Sequence, residues 1–156
     1  MTAILITSMG LYLAPIHIEA RAAQVPADVL LAICYHETRG EPDPANAPGL
    51  DGEVGLCQVL PETAADLGYR GTPEGLKVPR INIRYAARWL AHCMSKGAEA
   101  VRQLAHCYNE GRFTDTSKTA YSGRIAQIVV TLRMEAAITP KLALRFQIYQ
   151  HPDKTE

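Results

Sequence analysis

Between Val25 and Gln58 the chain places one carboxylic acid, Glu37, where acids are seldom found: on the apolar side of a helix. Glu37 follows Cys34 by three residues and Ile33 by four, so it shares the stripe that Leu30, Leu31, Ile33 and Cys34 turn towards a core. An acid at the end of a buried helical face, beside a long loop, is partly desolvated and easier to keep protonated near neutral pH. A general acid needs that property. The competing reading is a solvated residue of a last helical turn, ion-paired with Arg39 or Arg70, which is the ordinary situation of a glutamate. His36-Glu37 begins like the HExxH zinc helix, but Gly40 stands where the second histidine is required, and no metal site is expected. The loop that follows carries Glu41, Asp43, Asp51 and Glu53. Any of these could be the second carboxylate of a two-acid glycosidase, although most loop acids are solvated charges.

The elements that must position Glu37 can be read from periodicity and punctuation. Ile16 to Gln24 reads as a first helix, broken by Val25-Pro26; Pro26 opens the helix of Glu37 with Asp28 in its first turn, and Thr38-Arg39-Gly40 closes it. Pro61 to Leu67 opens like a helix and stops at Gly68, and residues 69 to 79 form a loop rich in Gly and Pro. Asn82 is placed as a cap or turn residue before a helix that runs to about Lys96 on Ile83, Ala86, Ala87, Leu90 and Met94. Trp89 beside that stripe reads as core. Glu99 to Cys107 is a further helix, and Tyr121 precedes an apolar face of Ile125, Ile128, Val129 and Leu132. His17 stands alone, and nothing near it in sequence recruits it for catalysis.

The 156 residues are enough for one domain with a substantial core, and 47% hydrophobic against 21% charged residues exclude a disordered chain. Sixteen basic and sixteen acidic residues cancel, and no basic stripe with interleaved aromatics marks a nucleic-acid surface. Cys34, Cys57, Cys93 and Cys107 lie too far apart in sequence for a CxxC site. Their even number allows disulfides, which would point to the periplasm or the cell exterior, but the reading preferred here is four small buried thiols. Ile4 to Ile6 and Leu11 to Ile16 are apolar, yet Thr7, Ser8 and Gly10 interrupt them and no Lys or Arg precedes Arg21. This pattern suits neither a standard secretory signal nor a membrane span.

Several separated motifs then occur in one order: Glu37-Thr38, Gly55-Leu56-Cys57-Gln58, Pro61-Glu62-Thr63-Ala64-Ala65-Asp66-Leu67-Gly68, Asn82 ahead of Trp89-Leu90, Cys107-Tyr108-Asn109-Glu110-Gly111, and Tyr121. In this the chain resembles the soluble lytic transglycosylase family over roughly residues 16 to 133. It departs from the usual pattern in having Thr38 for Ser, Cys57 for Met, and Cys107 and Glu110 where the family has Ala.

The resemblance implies a mainly α, single-domain, lysozyme-like fold of the goose-type or transglycosylase kind, with at most a small β element. It divides the chain into an apolar extension at 1 to 15, a catalytic domain at 16 to 133 and a helix with a polar tail at 134 to 156. It also implies cleavage of the β-1,4 bond between N-acetylmuramic acid and N-acetylglucosamine in peptidoglycan, with a 1,6-anhydro product. Glu37 would be the single general acid and base. Tyr108 and Tyr121 would support it, and Thr38, Gly55, Leu56, Gln58 and Asn109 would hold sugar. No cofactor or metal is expected, nor nucleic acid or stable membrane insertion, and the chain is expected to act as a monomer on glycan strands in the periplasm or cell wall. Delivery would be through a holin, as for a phage endolysin, or by a secretion or conjugation apparatus. Two other readings stay open: a muramidase on the same fold, with water activated by a loop acid such as Asp51, and a non-catalytic wall-binding or assembly module.

Overall fold

The computed structural model describes residues 9–38, 49, 51–114 and 118–138. The loop acids Glu41 and Asp43, the ion-pair candidate Arg39, the first half of the expected extension and the polar tail lie outside the described residues. A short 3-10 turn, Gly10–Tyr12, leads into seven α-helices among the described residues: α1 Leu13–Ala23, α2 Ala27–Thr38, α3 Pro61–Asp66, α4 Pro73–Leu76, α5 Pro79–Ser95, α6 Val101–Glu110 and α7 Ala120–Ile138. The only β structure among them is an antiparallel bridge between Val54 and Val59. The architecture is therefore mainly α with a minimal β element, as expected.

Local chemistry sets the boundaries. Gln24 closes α1 in the left-handed conformation, φ 57°, with the Val25 amide turned back onto the Ala20 carbonyl at 2.9 Å. Helices α3, α4 and α5 each open on a proline in the first turn, where the missing N–H is no loss. Thr72 caps α4 through Oγ1, which accepts from the Gly75 amide at 3.1 Å. The Gln103 amide oxygen caps α6 by accepting from the Glu99 and Ala100 amides, and Gly111, φ 71°, terminates that helix.

Helix α2 runs through the centre. Val29 to Cys34 are all buried, so it is covered on every side rather than along the single stripe that periodicity suggested. It lies against α1 and α7; α5 packs on α1 and α6, and α6 packs on α7. Two charged ties brace this arrangement. Arg84 binds the buried Glu19 through two hydrogen bonds, at 3.1 and 3.2 Å, joining α5 to α1. Arg133 reaches Asp28 at 2.7 Å, joining α7 to the first turn of α2.

The four cysteines are not free thiols. Cys34 pairs with Cys57, and Cys93 with Cys107. Separations of 23 and 14 residues in sequence say nothing about distance; the packing of α2 on the following turn and of α5 on α6 brings each pair together.

His17 is buried in α1, and burial lowers its pKa from 6.5, opposed by the charge of Asp28. The folded protein then holds this proton less readily than the unfolded chain. Its stabilising contribution is present above about pH 6.5 and is lost as pH falls through the lower folded value. Unfolding free energy is expected to decline across that window, and His17→Gln is expected to flatten the decline in denaturant titrations at stepped pH.

Candidate active site

Glu37 occupies the last turn of α2, half-buried, at the end of the buried run that the core claims. The first turn of α7 brings Tyr121 across it, and the phenol donates to Glu37 Oε1 at 2.5 Å. Burial raises the Tyr121 pKa well above the usual phenol value, and the carboxylate of Glu37 raises it further. The group therefore remains a neutral donor throughout the physiological range. His36 packs its ring edge-on against Tyr121, with centroids 5.2 Å apart, and locates the phenol from the other side.

Opposite α2, the Val54–Val59 bridge folds Gly55 to Gln58 into a tight turn. Asn82 fastens it. This side chain, fully buried in the first turn of α5, accepts from the Cys57 amide at 2.7 Å and donates to the carbonyls of Val54 and Leu76 at 2.8 and 3.0 Å. Gly55 has φ 76°, and a Cβ there would lie 2.6 Å from the Asn82 amide nitrogen, so only glycine fits. Gln58 also sits in the left-handed region, φ 48°, with Nε2 donating to the Gly55 carbonyl at 2.8 Å. The Cys34–Cys57 disulfide joins this turn directly to α2, one helical turn before Glu37.

Asn82 was read from sequence as a cap or turn residue; it is instead an internal clamp of the Gly55–Gln58 turn. Asn82→Ala leaves an amide and two carbonyls without their partner. It is expected to lower the unfolding free energy by about 2 to 4 kcal/mol, measured by urea denaturation.

An open cleft runs between these walls. Glu37, Gln58, Trp89, Tyr108 and Asn109 are among the residues that line it. Tyr108 is buried, and its hydroxyl donates to the Cys57 carbonyl at 2.8 Å, so this bond braces the turn rather than the acid. Burial raises its pKa well above 10.0, and the charge of Glu37 raises it further. Trp89, expected as core, is half-buried and does two things: its indole N–H donates to the Tyr108 carbonyl at 3.0 Å, and the ring lines the cleft. Asn109 is exposed at the cleft, and its amide nitrogen donates to Glu110 at 2.7 Å.

The expected sugar-binding residues thus fall into two groups. Gln58 and Asn109 line the cleft. Thr38 is buried, with its hydroxyl donating to the carbonyls of Cys34 and Tyr35 at 3.2 and 3.3 Å, and Leu56 is a core residue at 0% exposure. Gly55 is buried against Asn82. Of the loop acids, Asp51 is exposed and does not line the cleft; Glu53 does. Sequence reasoning named Glu53 only as one acid in four. The signal available was its position immediately before the valine that opens the bridge.

Compared with known proteins, the chain matches the family model described as the transglycosylase SLT domain over residues 14–129. No curated protein and no solved structure matches it.

Proposed function

The chain belongs to the transglycosylase SLT domain family, and from that we propose that it cleaves peptidoglycan glycan strands at the N-acetylmuramic acid to N-acetylglucosamine bond as a lytic transglycosylase. The observation that carries this reading is the bond from the Tyr121 phenol to Glu37 Oε1 at the wall of a cleft that also presents Gln58 and Asn109.

The bond dictates a division of labour within one carboxyl group. Tyr121 occupies Oε1 as a donor, so the proton that Glu37 carries sits on Oε2. Glu37 gives it to the glycosidic oxygen as the bond to the anomeric carbon breaks through an oxocarbenium-like state. The carboxylate left behind then takes the proton of the C6 hydroxyl of the same sugar. That oxygen closes on the anomeric carbon, forming the 1,6-anhydro ring and consuming no water. The attacking hydroxyl is already tethered to the reacting centre, so it competes well with external water. Gln58 and Asn109 bind sugar in this scheme, while Tyr108, Asn82 and the Cys34–Cys57 bridge hold the turn that carries Gln58.

Two disulfides support action outside the reducing cytosol, in the periplasm or cell wall. Among the described residues no helix is long and apolar enough to cross a membrane.

Mass spectrometry of soluble fragments released from purified peptidoglycan tests the reading, with Glu37→Gln as the blank. Fragments ending in 1,6-anhydromuramic acid, one water lighter than reducing sugars, are expected from the parent alone. Reducing ends would mean a muramidase, and glycan binding without fragments would mean a wall-binding module.

A further inference from the structure

Among the described residues two carboxylates line the cleft, and the mechanism above uses one. Glu37 comes from α2, while Glu53 comes from the segment that enters the Val54–Val59 bridge. The backbone at Glu53 is well located, because its neighbour Val54 bonds Val59 in both directions at 3.1 Å and gives its carbonyl to Asn82. Its side chain is half-buried, and Oε2 accepts from the Asp51 amide at 2.9 Å, which orients the carboxylate. Among the described residues that line the cleft there is no Lys, Arg or His. The described lining therefore has the polarity suited to a substrate that becomes positive as it reacts.

We propose that Glu53 is a second catalytic carboxylate, which faces the reacting sugar and stabilises the positive charge that develops on its anomeric carbon and ring oxygen. The inference rests on the transglycosylase reading of the same cleft. Glu53 forms no bond and moves no proton: Glu37 protonates the leaving oxygen and deprotonates the C6 hydroxyl. Its charge interacts more strongly with the cationic transition state than with the neutral sugar, so its contribution appears in kcat rather than in KM. Asp51, the example of a water-activating loop acid in the muramidase reading, contributes its backbone contact with Glu53.

The test compares the parent with Glu53→Gln and Glu53→Asp on purified glycan strands, following the rate of fragment release and the chemistry of the ends, with thermal unfolding as a check on folding. Glu53→Gln is expected to unfold at the parent temperature, to keep KM within about twofold, and to lose roughly 100-fold in kcat while its residual products stay 1,6-anhydro. Glu53→Asp restores the charge from a shorter side chain and is expected to recover part of the rate. A Glu53→Gln variant as fast as the parent, or one altered only in KM, would overturn the proposal and leave the transglycosylase reading standing. Reducing ends from the parent that disappear in Glu53→Gln would overturn it too, because Glu53 would then be activating water. A parent that releases no fragments would defeat the transglycosylase reading itself, and this inference with it.

Discussion

Glu37→Gln is expected to lower the rate of glycan-strand cleavage by about 10³-fold while leaving thermal unfolding and strand binding close to the parent's. The substitution is nearly isosteric, and its amide oxygen can still accept from Tyr121, so the hydrogen bond that joins α7 to α2 survives. The transferable proton does not. Tyr121→Phe is expected to lose less, about 10- to 100-fold, because the carboxyl group remains but its orientation and the placement of its proton are no longer set. The informative measurement is the double variant. If Tyr121 acts through Glu37, Glu37→Gln with Tyr121→Phe is no slower than Glu37→Gln alone; losses that multiply would show the phenol acting on substrate independently. Because burial and the neighbouring carboxylate keep Tyr121 protonated well beyond the ordinary phenol range, its contribution is expected to be constant across neutral pH.

The second large effect is on stability. The disulfides close loops of 23 and 14 residues, and the loss of chain entropy in the unfolded state makes each worth roughly 3 kcal/mol. A domain of this size is stable by about 5 to 15 kcal/mol, so reducing both bridges should consume much of that margin. Thermal unfolding with and without dithiothreitol is expected to show a large fall in midpoint. The paired variants separate two consequences. Cys93→Ala with Cys107→Ala removes a brace between α5 and α6. Cys34→Ala with Cys57→Ala also releases the turn of Gln58 from the helix of Glu37, so it is expected to lower cleavage at temperatures where the protein is still folded. Equal activity losses in the two paired variants would show that the Cys34–Cys57 bridge has no special part in aligning the cleft.

Helix signals in this chain are local, which is why most of the architecture could be read early. Prolines at first turns and glycines beyond the ends bracket α3 and α5, Gly111 closes α6, and the apolar spacing of α2 identified the helix that carries Glu37. Boundaries drifted where a capping side chain decided them: the helix expected from Glu99 begins at Val101, because Gln103 caps the Glu99 and Ala100 amides, and it continues through Glu110 to Gly111. The burial of α2 on all sides was not legible from its own periodicity. An amphipathic stripe reports one partner, while a central helix has several.

The site divides along the same line. Glu37 stood out as a candidate because an acid on an apolar stripe is a local anomaly, and Gln58, Tyr108, Asn109 and Tyr121 because their motifs occur in one order. Their partnerships were not. Whether Tyr108 bonds the acid or the Cys57 carbonyl, whether the Thr38 hydroxyl meets sugar or its own helix, and whether Asp51 or Glu53 reaches the cleft depend on angles between elements remote in sequence. The sequence by itself determined the helical class, pointed to the family and singled out Glu37 as the candidate acid. Only the tertiary structure decided that the cysteines pair, that Asn82 clamps the Gly55–Gln58 turn, and that Glu53 rather than Asp51 shares the cleft with Glu37. The reason is physical: helix formation and side-chain character act over a few residues, whereas hydrogen bonds, disulfides and electrostatic neighbours act over a few ångströms, and folding alone relates the two scales.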